Sequence, residues 1–555
     1  MVKRFAIARV AMPFLAALLV ALPAAAQQPS SKPAPASQPT TASQPTTAPA
    51  YSGVPFGAAA GGQVLYNGIV LPKSWPPTLD FNKDIKTRKP LPVPYYLQQP
   101  PAVIPIDLGR QLFVDDFLVQ STTLERNFHL ADYYEKNPVF TGGMVFSGGV
   151  WVDPKDRLFK MWYLGKGGVG YTSSKDGIHW AQGEVVQPGA SDSTTVWLDQ
   201  ETTDPASRFK MIRSISVDKR MTGHIFLSPD GIHWTDTGKT TGDWGDRSTF
   251  YYNPFRKLWI LSSRHGWGQP RARRYWEVPD LMEGPYWDNP SGNRAPIWVG
   301  ADELDPPRED YKIDPQLYNL DGVAYESITL GLFTIWRGQD QPDKREKPNE
   351  VCVGFSRDGW SWTRPDRRAF CPVSETKGEW NYANVQSAGG CCLIVGDKLY
   401  FYVSGRGKGQ VTGLATLRRD GFASMDAKEE GVLTTRPVRF SGKRLFVNVD
   451  APKGALAVEV LDEAGNVIAP FTREACETVK TDSTIAAVTW KGGKDLSSLD
   501  GKPVRFRFHL RTGSLYAFWV SPDASGASFG YVAAGGPGFT GTVDTVGQAA
   551  YKAAK

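Results

Sequence analysis

Cysteine, histidine and helical periodicity are all scarce in this chain of 555 residues. Its five cysteines (Cys352, Cys371, Cys391, Cys392 and Cys476) have no metal-type spacing. The six histidines are dispersed, with no His-x-x-x-His among them. A built-in zinc site is therefore not expected, and no cofactor is expected, with a structural cation left open. An odd cysteine count with one adjacent pair argues against a disulfide framework. A strong charge bias is also missing: the formal net charge is +6, with Lys and Arg scattered. That balance excludes nucleic acid as an expected partner. After the first 26 residues no apolar run is long enough to span a membrane.

What is present begins with an export pattern. Lys3, Arg4 and Arg9 precede the apolar "FLAALLVAL", and "PAAA" supplies small residues before Gln27, which reads as a signal peptide over 1–26. Residues 27–60, rich in Pro, Ser, Thr, Ala and Gln, have little to bury and are expected to be a disordered linker. An extended segment over 61–107 follows. The mature protein is expected to be secreted or periplasmic.

Three copies of Ser-x-Asp-Gly-x-x-Trp organise the rest: "SSKDGIHW" at 173–180, "LSPDGIHW" at 227–234 and "FSRDGWSW" at 355–362. Each follows a β-rich run. Asp-Gly suits a tight turn because Gly adopts positive φ without steric cost, so Asp176, Asp230 and Asp358 are read as turn residues and the Trp as filling. Two degenerate copies place Asp280 and Trp287, then Asp420-Gly421 and Met425, at corresponding points. The resulting period of roughly 50–80 residues, with several strands per unit, indicates propeller blades. The expected fold is all-β: a five-bladed β-propeller over 108–440, a C-terminal β-sandwich over 441–525 and a loose tail over 526–555.

In a propeller the innermost strands open into an axial funnel, so the starts of those strands are the first places to look for chemistry. Asp192, Asp246 and Asp321 fall there on three successive blades, as do Arg247, Asn319, Asn384 and Gln386. Glycoside hydrolysis needs one protonated and one ionised carboxyl across the sugar, which makes the three Asp the catalytic candidates. Arg247, Asn319 and Gln386 are candidates for holding sugar hydroxyls. Trp267, Trp380 and Tyr318 offer rings on which a sugar can stack. Any single Asp at a strand end serves more often as a turn or cap residue; the joint pattern carries the expectation. Glu379 is a reserve acid, and Glu326 falls at the wrong end of its strand. Asp115 and Asp116 in "LFVDDFLV" are read as part of a strand closing the ring.

Those five units, "NPVF" at 137–140 and the strand-rich region from Arg444 resemble the five-bladed glycoside hydrolases of the invertase–levanase and arabinanase type, families 32 and 43. The strings "LFVDDFLV", "DSTTVWLD", "LYNLDGVAYES" and "LYFYVSGR" look like exported bacterial family-32-like proteins. The resemblance implies a secreted glycosidase acting on a poly- or oligosaccharide through a carboxylate pair. The type's Asn-Asp-Pro-Asn-Gly and Arg-Asp-Pro motifs are absent, and "GDRST" is a loose echo of the second. "YWEVPDL" matches its acid motif superficially and would make Glu277 the acid. Alternatives are a carbohydrate-binding propeller without catalysis and a polysaccharide lyase using Arg with His or Tyr.

Overall fold

A computed structural model describes residues 62–77, 87–189, 191, 193–217, 220–266, 270–282, 295–339, 347–390 and 392–553. The signal peptide and linker expected over 1–60 lie outside them, as do Asp192, Trp267, Trp287 and Cys391. Among the described residues no helix is long and apolar enough to cross a membrane.

The repeat folds as five antiparallel blades. Blade one is Val150–Asp153, Leu158–Gly165, Gly168–Ser174 and Glu184–Pro188; blade two is Thr194–Leu198, Phe209–Val217, Arg220–Ser228 and Thr235–Asp243. Blade three is Thr249–Asn253, Leu258–His265, Ala272–Val278 and Ile297–Gly300. Blade four has Gln316–Glu326, Ile328–Trp336 and Asn349–Ser356, and blade five has Val385–Ser387, Leu393–Val395, Lys398–Gly405 and Val411–Arg418. Inner strands such as Thr194–Leu198 are buried along their whole length. A strand covered on both faces gains nothing from polar–apolar alternation, which is why these segments read as nearly continuous apolar runs.

The repeated motif is a turn shared between blades. Ser174 Oγ accepts the Gly177 N–H at 2.9 Å, while Asp176 Oδ1 accepts the N–H groups of Ile178 and His179 at 2.9 and 2.8 Å. Ser228–Asp230–Gly231 and Ser356–Asp358–Gly359 repeat the pattern. Gly231 has a φ of 82°, and a Cβ there would stand 2.4 Å from the Trp162 ring. The turn carbonyls are then gripped by the neighbouring blade: Trp162 Nε1 donates to Gly231 O and Tyr402 Oη to Gly177 O, both at 2.7 Å. Trp298 Nε1, on the outer strand of blade three, instead bonds the carbonyl of Trp360, one residue past Gly359, at 2.8 Å. Trp162 and Tyr402 each stand three residues before the last residue of their second strands, Gly165 and Gly405. The motif therefore locks the ring tangentially, and its carboxylates are spent on backbone donors.

Three expectations need correction. "LFVDDFLV" is not the ring-closing strand: Asp115 lies in a bend, buried against Arg357 at 2.8 Å, and Asp116 pairs with Arg126. Closure falls to Asp132–Tyr133, the outer strand of blade five, with Ala415 opposite Tyr133. The strands between Arg444 and Ser521 do not form a module of their own: they are hydrogen-bonded within one eight-stranded sheet. That sheet also includes Gln111–Leu112, Val119–Thr122, Glu125–Phe128 and Ala423–Thr435. Its spine is the 17-residue strand Arg505–Ser521, and it encloses a core of its own that includes Phe113, Phe506 and Phe518. Asp420 keeps its place on the turn of the degenerate copy, with a φ of 61°, and is also buried in an ion cluster with Arg110.

The third concerns the C-terminal segment, which is docked and not loose. Tyr531–Val532 pairs with Tyr325 and Glu326, Ala534 O accepts the Val152 N–H at 3.0 Å, and Gly535 O accepts the Ile394 N–H at 2.9 Å. One short segment thus bonds to blades four, one and five at the far ends of their inner strands. Beside it, Arg419 faces Glu326 at 3.0 Å and Asp544 at 3.1 Å, all fully buried. A small cavity of about 40 Å³ remains at this end, lined by Trp151, Trp197, Tyr252 and Tyr531 among others.

Candidate active site at the mouth of the propeller

Inner strands begin, and second strands end, at one face of the ring: Thr194 pairs with Arg213, Thr249 with Ser262, Gln316 with Trp336 and Val385 with Gly405. Side chains near those ends come from different blades yet meet about the axis. Asp321 is the centre of such a meeting. Its Oδ2 accepts Ser387 Oγ of blade five at 2.5 Å and Asn319 Nδ2 at 2.8 Å, with Ser147, just before blade one, at 3.5 Å. Burial pushes its carboxyl up to about 6, the hydrogen bonds from Ser387, Ser147 and Asn319 and the charge of Arg273 restraining the rise. Such a group changes protonation in mildly acid to neutral solution, as a general acid must.

Asp246 sits on the tight turn before blade three's inner strand and is ion-paired with Arg264 of the second strand. Arg247, next to it, is buried in a left-handed conformation (φ 57°), its guanidinium lying over the buried Phe146 ring. The Arg247 carbonyl accepts Arg273 Nη1 at 2.8 Å. Arg273 links the two acids electrostatically: its charge lowers the pKa of Asp321, and Asp246 raises that of Arg273.

Asn319 belongs to the polar ring around Asp321, and Gln386 lies at the same mouth end, on blade five's inner strand, but both are buried. Asn319 orients Asp321 and also bonds Ser387 Oγ at 3.2 Å; Gln386 Nε2 donates to Asn384 Oδ1 at 2.8 Å. Asn319 Oδ1 and Gln386 Oε1 are buried acceptors without a partner among the described residues. Such atoms are rarely left so in a folded protein, because each forfeits the hydrogen bond it had in water. Ordered water or a hydroxyl-bearing ligand would satisfy them.

The other candidates separate. Trp380 is half-buried, edge-on to Tyr133 at 5.2 Å and close over Gly405 and Gly413, where a Cβ would meet its ring at 2.6 and 2.1 Å. It packs blade five. Glu379 is exposed and accepts Ser374 Oγ at 2.5 Å. Glu277 lies at the far end of its strand, opposite Ile260, bonded to Arg256 at 2.6 Å and to the Trp75 indole at 3.0 Å. Burial alone would raise its carboxyl; the Arg256 guanidinium and the Tyr275 hydroxyl hold it below the usual range. Glu326 is locked in the ion cluster at the opposite end from Asp321.

Sequence reasoning missed Ser147, Ser387 and the arginines. A signal existed for the serines: "FSGG" and "QSAGG" put Ser before a glycine pair at the start of blades one and five. For Arg271 and Arg273 the cue was "RARRYW", three arginines in four residues at the start of a strand flanked by apolar core.

No family model and no curated protein matches the chain. Among solved structures it is similar to an endo-arabinase from Bacteroides thetaiotaomicron, with 11% identity, 52% of this chain and 97% of that one covered, and a TM-score of 0.33. A fructofuranosidase from Schwanniomyces occidentalis shows 11% identity, coverage of 70% and 98%, and a TM-score of 0.33. A presumed glycoside hydrolase from Bacteroides ovatus shows 14% identity, coverage of 52% and 96%, and a TM-score of 0.35. Likeness at this level decides neither substrate nor mechanism here.

Proposed function

We propose that the chain is a carbohydrate-active propeller that cleaves glycosidic bonds at its mouth, on a poly- or oligosaccharide outside the cytoplasm. The observation that carries this reading is the polar ring around Asp321. It combines a carboxyl pushed up to about 6 with a buried acceptor, Asn319 Oδ1, while Gln386 Oε1 offers a second at the mouth end of blade five; neither has a donor among the described residues. Sugar hydroxyls supply such donors, and a carboxyl protonated near neutrality can protonate a leaving glycosidic oxygen. Asp321 is assigned the acid role. Asp246, charge-paired with Arg264, is assigned the ionised partner, with Asp192 of the neighbouring blade as its substitute. Ser147, Ser387 and Asn319 act as positioning residues for Asp321, and Arg247 positions the mouth through Phe146.

The test is a glycan panel assayed with Asp321→Asn, Asp246→Asn and Asp192→Asn. Loss of turnover in Asp321→Asn and in one of the other two, with retained folding, supports the assignment; full activity in all three refutes it. One observation favours a second reading, a binding propeller without catalysis. Asp321 is only 2% exposed and Asp246 is already engaged by Arg264. Saturable binding of a glycan with no product would select it.

A further inference from the structure

Three arginines in the described protein rank among its largest wholly buried side chains: Arg110, Arg273 and Arg419. Two of them have counter-charges. Arg110 faces Asp420 at 2.9 Å and Glu326 at 3.4 Å; Arg419 faces Glu326 and Asp544 at 3.0 and 3.1 Å. Nearly buried Arg357 and Arg364 likewise sit on Asp115 and Asp305. Arg273 breaks the pattern. No carboxylate lies within 4 Å of it among the described residues, its Nη1 bonds a neutral carbonyl, and its Nε and Nη2 have no partner there.

Arg271 repeats the anomaly nearer the rim, where it is half-buried. Its guanidinium bonds the Gln316 amide oxygen, at 3.0 Å, and lies 5.0 and 5.5 Å from the Trp336 and Tyr318 ring centroids. Burying a guanidinium without a counter-charge is strongly unfavourable unless something anionic completes it. Burial indeed pulls both guanidinium groups below their ordinary range, with Asp246 opposing the fall at each. A planar fork with free N–H groups matches a carboxylate or sulfate by paired hydrogen bonds, and the aromatic faces beside Arg271 suit a sugar ring.

We infer that the mouth recognises an acidic glycan, with the anionic group of one sugar seated on Arg273 and the chain passing Arg271 at the rim. This rests on the carbohydrate reading of the mouth and names its substrate class. The shared chemistry is an oxyanion carried on a sugar, either a uronate carboxylate or a sulfate ester.

The experiment is titration calorimetry on the full mature chain with four probes. These are trigalacturonate, its carboxyl-reduced counterpart, a sulfated κ-carrageenan tetrasaccharide and its desulfated counterpart. Binding of trigalacturonate or of the sulfated tetrasaccharide, weakened by salt and at least tenfold tighter than its neutral counterpart, is expected; which probe binds identifies the anion. Arg273→Lys keeps the charge and loses the fork, and Arg271→Gln sits at the half-buried rim; each is expected to weaken that binding at least tenfold. Should Arg273→Lys fail to fold, Arg271→Gln carries the test. Equal binding of charged and neutral members, or binding unchanged in Arg271→Gln, overturns the proposal. If none of the four binds, the acidic class is wrong. Hydrolysis of a neutral glycan in the panel would then leave the glycosidase reading standing, and inactivity on all glycans would remove both.

Discussion

Asp321→Asn has a consequence for stability that is separable from catalysis. In the folded protein burial lifts the Asp321 carboxyl from the ordinary 3.8 to about 6. Between those values the native state holds a proton that the unfolded chain has released, so wild-type stability falls as pH rises through that window. At about 1.4 kcal/mol per pH unit the full loss is about 3 kcal/mol. Roughly 2 kcal/mol of it falls between pH 4.5 and 7.5. The amide introduced by the substitution does not titrate, and its oxygen can still accept from Ser387 and Asn319. Relative to wild type, Asp321→Asn is therefore expected to gain stability on going from pH 4.5 to 7.5. For a chain this large, roughly 1–2 °C per kcal/mol gives a relative gain of about 2–4 °C in Tm. Thermal melts of both proteins at the two pH values, at one scan rate and salt concentration, measure it. A wild-type–variant gap that does not change with pH would mean that Asp321 ionises normally, and the general-acid assignment would fall with it.

Other outcomes follow from the same contacts. Trp162→Phe keeps the ring packing but strands the buried Gly231 carbonyl; a loss of about 1–3 kcal/mol in urea unfolding is expected, with Tyr402→Phe parallel to it through Gly177. Gly231→Ala combines a φ of 82° with a Cβ 2.4 Å from Trp162, so it is expected to lower Tm further than an Ala placed at exposed Gly238. Asp115→Ala leaves Arg357 buried without its carboxylate, costing about 3–5 kcal/mol, yet turnover per folded molecule should be unchanged because the pair lies outside the mouth. Removing residues 526–553 strips Asp544 from Arg419 and Gly535 from Ile394; greater protease sensitivity and a lowered Tm are expected, and unaltered melting would contradict the docked C-terminus.

The repeat itself was legible because turn chemistry is local. Ser, Asp and Gly in one heptapeptide satisfy each other's donors and acceptors, so three copies announce three blade edges before any long-range contact is known. Asp246 and Asp321 were likewise found by counting from those edges, since strand direction in a blade fixes which residues reach the mouth. The repeat's own acids were also readable as turn residues. Their hydrogen bonds to backbone N–H groups show the physical reason.

What lay beyond the sequence depends on who is nearby. "LFVDDFLV" reads as a strand by composition, but its buried Asp115 is tolerated only because Arg357, 242 positions away, reaches it. Asn319 and Gln386 were readable as polar groups of the mouth. Their letters did not show that the amide nitrogens donate to Asp321 and Asn384 and leave only Asn319 Oδ1 and Gln386 Oε1 without a partner among the described residues. Arg110, Arg273 and Arg419 are indistinguishable as letters. Tertiary structure gives two of them carboxylates and, among the described residues, leaves Arg273 with none, because charge pairing is set by packing between blades and not by spacing along the chain.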